Sequence, residues 1–481
     1  IDTQKVHISS AIASGYKYML IVTSDEAKAR KMCDDASFFN REAIYYPAKD
    51  AIFYSADVHG NQITGERLRC ISRIINHSST GEGVLTVVTT MDGIADRLIP
   101  VERFKEAVIT LDYSSEIEPE KLAKKLVAMG FVRTGMVEDK GQFAIRGGII
   151  DIFSYTDEAP VRIELWDTEV DSIRMFDVES QRSIERLQSY SIFPATEYIF
   201  TEDELKNGLY NIKKECDRQL ECFDYGKRKR TKEQIEAGNN LNKLVADVER
   251  TGNYEKFTDT IVADTVGLAE YFPEENTLVV LDEPNRLKEC NELTLYEYNE
   301  SMKNRLAAGY VLPSQTNKVK AMNEIISDLR NNKKLILTTL DYKPEGFEID
   351  YSMYITARSI SSYNNSFEYL AKDLEKYKKN GYTTILVCSS RTRALRIVDD
   401  LGKLGIASFY SEDFNKDYGS GLIIVTYGSL HKGFEYPVLS FVVIAENDIF
   451  SARKMKKLKK KKHDGKNIAS FNELNIGDYV V

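Results

Sequence analysis

No GxxxxGK[ST] string occurs anywhere in these 481 residues. The sequence therefore lacks the loop whose glycines let backbone N–H groups surround a phosphate while a lysine and a hydroxyl reach its oxygens and magnesium. Cysteine is scarce too. Its six positions (Cys33, Cys70, Cys216, Cys222, Cys290, Cys388) are scattered with no CxxC pair. That spacing argues against a disulfide framework or a zinc site and for free thiols in a reducing cytoplasm. The five histidines are equally dispersed, so no metal is expected. No apolar run approaches the roughly 20 residues needed to span a bilayer, and no membrane association is expected. The opening Ile1-Asp2-Thr3-Gln4-Lys5 has neither the basic nor the apolar region of a signal peptide. It also lacks an initiator Met, so further residues are expected ahead of Ile1. A net charge of −9 argues against bulk attraction to a polyanion, and any contact with DNA has to be local.

What is present is length enough for several cores, since domains rarely exceed about 250 residues. Residues 1–110 alternate strand and helix signals: "YMLIVTS", "AIYYPA" and "VLTVVTT" are apolar strand runs separated by helical stretches. That rhythm predicts a parallel, doubly wound sheet. Between 111 and 198 it changes. After a helix at Glu118–Met129 come short alternating strands, "GQFAIRGGIIDIF", "VRIELWD" and "VDSIRMFD", as in an antiparallel α+β module. A charged helical stretch over 201–249 follows, and the α/β pattern returns in "TLVVLDEP" and "KLILTTL", so 199–350 completes the first domain and 111–198 is an insertion in it. A small α/β domain is predicted over 351–452. Residues 453–469 form a basic linker, and 470–481 open a further domain with "FNELNIGDYVV". The lysine-rich Arg453–Lys462 run is either a solvated linker or a phosphate contact, and "GKRKRTK" near 226 is an exposed helix or loop.

Two groups of residues could carry chemistry. Lys5, in Asp2-Thr3-Gln4-Lys5-Val6 before the first helix, is the nearest remnant of a phosphate loop, with Val6 where a magnesium-binding hydroxyl would stand. "VVLDEP" resembles the strand that delivers a magnesium carboxylate and a water-polarising carboxylate, here Asp282 and Glu283. Without a glycine loop these read as a vestigial strand end with solvated carboxylates and a solvated lysine, and no catalytic residue is expected. The second group is in the inserted module. Alternation in "VRIELWD" sets Val161, Ile163 and Leu165 on one face and Arg162, Glu164 and Trp166 on the other. In "QFAIRGG" Arg146 lies opposite Phe143 and Ile145, and Gly147-Gly148 suggests a bulge or a close backbone approach. The only Trp of the chain beside Arg on a polar face has the composition of a protein–protein hot spot. The alternative is that Trp166 folds against the module edge while the arginines make local ion pairs. Alternation alone does not choose.

The stretch "GQFAIRGGIIDIF…APVRIELWDTEVDSIRMFDVESQRS", continuing through "SYSIFPATEY", resembles the second domain shared by the excision-repair protein UvrB and the bacterial transcription-repair coupling factors. "LDEPNRL" and "FNELNIGDYVV" resemble the coupling factors. The resemblance implies that the parallel-sheet unit is a degenerate P-loop, helicase-like domain and that the module docks UvrA. Arg146, Arg162 and Trp166 match the contact positions, with Gly147 and Glu164 beside them. It further implies a longer protein that displaces stalled RNA polymerase by ATP- and magnesium-driven translocation on DNA. RNA polymerase would be contacted through the domain opening near Phe471, and a monomer is expected. No cofactor is expected in the present residues. A UvrB-like ATPase whose phosphate loop lies before Ile1 is the competing reading. Against it, Pro47–Thr64 is too short for UvrB's DNA-clamping hairpin.

Overall fold

The computed structural model describes residues 2–49, 61–80, 83–224, 230–262, 264–413 and 419–450. Most of the Pro47–Thr64 interval, most of "GKRKRTK", the Arg453–Lys462 run and Phe471–Val481 lie outside them.

The apolar runs of the first unit form one parallel five-stranded sheet, in the order Lys333–Leu337, Thr277–Asp282, Tyr18–Thr23, Leu85–Thr90, Glu42–Tyr46. Three of these strands are buried at every position, as β-branched runs must be when helices cover both faces. Met19 and Ile21 pack with Val6, Met32 and Ala36 of helices Asp2–Ala13 and Glu26–Asn40. Leu20 and Val22 point the other way, into a larger core with Leu68, Ile71, Phe104, Leu287 and Tyr298. Strand Thr277–Asp282 pairs directly with Tyr18–Thr23. The sheet is therefore completed only when the chain returns after the module and the long helices Glu202–Asp224 and Lys232–Thr251, which share a core of their own with Phe257 and Leu312.

The module leaves and rejoins this unit on adjacent strands: Ile109–Asp112 pairs antiparallel with Ser189–Ile192. Between them lie β1 (Gln142–Arg146), β2 (Ile149–Phe153), β3 (Val161–Trp166), β4 (Glu169–Phe176) and β5 (Ser183–Arg186), hydrogen-bonded in sequence as an antiparallel meander. A short Val132–Arg133 strand adds in parallel beside β1. Helix Pro119–Ala128, with proline at its first turn, closes one face over Leu122, Leu126, Phe143, Ile150, Ile163 and Ile173. Where the module rejoins, the fully buried Arg67 grips Glu197 with two hydrogen bonds of 2.8 and 3.0 Å and Asp96 with one of 2.7 Å. A buried guanidinium satisfied on this scale holds the module in one orientation, because a loosened joint would leave an unpaired internal charge.

The third unit is a mixed six-stranded sheet, in the order Arg358–Ser359, Phe434–Tyr436, Phe441–Ala445, Thr383–Cys388, Ile423–Tyr427, Phe409–Tyr410. Helices Phe367–Lys379 and Arg391–Lys403 flank it. It packs on the first unit through Leu430, Phe434 and Tyr436 against Ile8, Phe38 and Phe39. Across the same contact buried Asp35 accepts a hydrogen bond from the backbone N–H of His431, and it accepts another from Thr3 of its own unit. The chain is thus mixed α/β with parallel and antiparallel sheets. No helix among the described residues is long and apolar enough to cross a membrane.

Candidate docking face and a closed carboxylate site

The polar face of the module is set by a two-residue turn. Gly147, at φ +62°, closes the hairpin between β1 and β2 in the left-handed region that glycine occupies without penalty. Gly148 permits the close backbone approach that its sequence suggested: its carbonyl accepts from Leu165 N at 2.8 Å, and a methyl group there would sit 2.9 Å from the Leu165 oxygen. With that turn in place Ala144 faces Asp151, Asp151 faces Arg162, and Arg162 faces Arg174. The following row runs Arg146, Ile149, Glu164, Ser172.

Asp151 organises this face, and sequence reading passed over it. Its carboxylate is buried between two arginines. Arg162 donates from Nε at 2.6 Å and from a terminal nitrogen at 2.9 Å, and Arg146 donates at 2.6 Å. Arg162 also donates to Gln181 at 2.8 Å and lies 4.3 Å above the Phe176 ring. The hydrogen bonds to Asp151 hold its pKa above the usual arginine value. The expectation that Arg162 lies open on a contact surface is corrected. Its side chain is on the polar face, as alternation requires, but only 13% exposed, because Asp151 and Phe176 cover it. Arg146 differs: its side chain is 44% exposed although it too touches Asp151. Glu164 is half-buried, accepting from Ser172 and paired with Arg174. Trp166 ends β3 at 80% exposure, just past the Gly148–Leu165 contact and a register shift at Glu164/Leu165. It does not fold against the module edge. A β1–β2 hairpin with a Gly-Gly turn would have predicted the 144–151 pairing and so flagged Asp151.

At the other candidate site the expected solvated groups are not solvated. Lys5 Nζ lies 2.6 Å from Asp282 and 2.7 Å from Glu283. Lys28, which the sequence reading did not single out, pairs with the other Asp282 oxygen, and Thr23 donates to that oxygen at 2.9 Å. Asp282 is 1% exposed. Burial would raise its pKa, but Lys5 and Lys28 outweigh it and hold the carboxyl below the ordinary range. Glu283 is shifted down in the same way, against its own burial, by Lys5 and Thr339. The physical reason for the correction is position. The strand end that would face a nucleotide instead faces the first helix and the N-terminal turn of the second, and their lysines supply the positive charge. The residues present do not fit magnesium, since each carboxylate already has a cation in contact.

Residues 109–198 match the UvrB interaction domain family. Along its whole length the chain is 31% identical to the transcription-repair-coupling factor of Bacillus subtilis, of which it covers 40%. Over 98% of its length it is 28% identical to the same factor of Staphylococcus epidermidis and 27% identical to that of Staphylococcus aureus, again covering 40% of each. The chain thus spans about two-fifths of the length of these relatives. It belongs to the transcription-repair-coupling factor family and carries that family's UvrB interaction domain at residues 109–198.

Proposed function

We propose that this chain is the recruitment half of a transcription-coupled repair protein: its inserted module docks UvrA, and the parallel domain around it is a degenerate helicase-like frame without ATPase activity. One observation carries the reading. The single Trp of the sequence stands 80% exposed at the end of β3 in the UvrB interaction domain, whose β1, two strands away, carries the partly exposed Arg146. An aromatic left in water at that level is an anchor awaiting a pocket. Arg146 presents charge to an acidic partner while Arg162, with Asp151, braces the sheet beneath it. Translocation, ATP and magnesium use, and contacts with RNA polymerase and DNA belong in this proposal to the remaining length of the longer protein. The lysine-filled carboxylate site supports the absence of hydrolysis in this part.

The test pairs UvrA affinity with thermal melting. Trp166→Ala is expected to weaken binding by about 2 kcal/mol, roughly thirtyfold, with an unchanged melt. Arg146→Glu is expected to lose at least as much through charge reversal. Full affinity in both variants would remove the docking assignment.

A further inference from the structure

Between the first and third units runs a segment that neither the docking face nor the carboxylate site uses. Residues 341–355 are pinned at one side. Phe347 is buried in the core of the first unit, Glu345 pairs with Lys288 at 2.6 Å, and the Tyr342 hydroxyl accepts from Asn285 N. The segment then turns its apolar residues outward. Tyr351 is 80% exposed, Tyr354 77% and Met353 63%, with Leu340 exposed just ahead of them. Scattered exposed apolar residues are ordinary, but a run of them marks a contact surface. The same stretch carries four exposed carboxylates, Asp341, Glu345, Glu348 and Asp350, against one lysine, Lys343. At the two ends of the segment the Asp341 carboxylate pushes the Tyr354 hydroxyl's pKa up, so acid and aromatic lie near each other. Its surface suits a cationic, partly apolar segment, since lysines gain from carboxylates and from aromatic faces alike.

The sequence contains one such segment. Arg453–Lys462 has eight basic residues with Met455 and Leu458 set among them. Its tether begins close by: Tyr363 N donates to Asp448 O and Asn365 N to Ile449 O, so the chain near 449 lies beside the stretch leading from the loop. At about 3.5 Å per extended residue, Tyr354 is within about 32 Å of Tyr363, and Lys462 can reach about 45 Å from Ile449. We propose that the acidic aromatic loop 341–355 binds the Arg453–Lys462 segment of the same chain and holds its lysines away from nucleic-acid phosphates.

Carbodiimide crosslinking of the 481-residue chain, mapped by mass spectrometry, tests the contact. Glu348 and Asp350 are expected to join to lysines of 454–462 within one chain at low salt, with the yield falling severalfold near 1 M salt as screening grows. Crosslinks spread evenly over other surface carboxylates, or joining two chains, would overturn the proposal. A second arm reads consequence rather than proximity. Replacing Glu348 and Asp350 by Lys and Tyr351 and Tyr354 by Ser is expected to tighten binding to a generic DNA duplex at low salt on the order of tenfold, because the basic run is released. These side chains are exposed, so the melt is expected to hold. Unchanged DNA affinity in the variant would equally overturn it.

Discussion

Two arginines that look alike in the sequence have different work to do. Arg162 and Arg146 both contact Asp151, but only Arg162 closes it bidentately under a cover of Phe176 and Gln181. Removing Arg162 leaves a buried carboxylate with one partly exposed partner, so Arg162→Ala is expected to cost roughly 3 kcal/mol in urea unfolding of the chain. Arg146→Ala, at an exposed position, is expected to stay within about 1 kcal/mol. Equal losses for the two would contradict the brace-and-contact division. Any binding defect of an Arg162 variant then has to be corrected for folding, whereas defects of Trp166 or Arg146 variants do not. The same logic gives a pH dependence at Asp282. Its folded pKa lies below the ordinary carboxylate value, so its stabilisation is fully present above about pH 4 and is lost as pH falls through the folded pKa. Asp282→Asn is expected to be less stable than the parent at pH 7, with the gap narrowing below about pH 4. A gap that persisted unchanged at pH 2 would mean the Lys5–Asp282–Lys28 cluster contributes little.

At the level of elements, the alternation of "VRIELW" predicts which side chains share a face, and β3 has that arrangement. What alternation does not supply is what covers each face. The outer face of the module carries its own small cluster, with Phe153 packed against Val137, Ala144 and Val178; Arg162 is hidden there by Asp151 and the Phe176 ring, while Trp166, beyond the register shift, is exposed. The turn is equally specific. A Cβ at Gly148 would meet the Leu165 backbone oxygen, which cannot rotate away. Gly148→Ala is therefore expected to spread β2 from the end of β3, lowering stability by about 1–3 kcal/mol and weakening UvrA binding through the displaced Trp166. Hydrogen exchange at Leu165 N, whose bond to Gly148 would lengthen, is the local readout, and unchanged protection there would contradict the prediction. A comparable close approach joins the units: a Cβ at Gly428 would lie 2.1 Å from the Phe38 ring.

Over the whole molecule, the first unit is continuous in space and discontinuous in sequence. Tyr18–Thr23 finds its neighbour Thr277–Asp282 only after the module and helical hairpin have been placed outside the sheet, and paired strands at the point of insertion let the module be added without breaking the core. The strand end at Asp282 consequently meets the helices carrying Lys5 and Lys28. Titration with millimolar Mg-ATP is accordingly expected to give no measurable saturation. A micromolar dissociation constant would show that the lysines yield to nucleotide and would revive the ATPase reading.

The chain's own pattern determined a good deal. Short apolar runs rich in β-branched residues and separated by helical stretches fit strands covered on both faces, so the parallel sheet and the change to an alternating, antiparallel module were legible from length, residue type and period together. The unusual Trp166 beside arginine was visible for the same reason, because alternation is a local property. Charge partnership is not local. Asp151 meets Arg162 through strand pairing, and Lys5 meets Asp282 across 277 residues. Whether a lysine or arginine is solvated or enclosed depends on what the fold brings over it. Only the tertiary structure could decide that, since the Coulomb and desolvation energies that set its role depend on distance and cover in space.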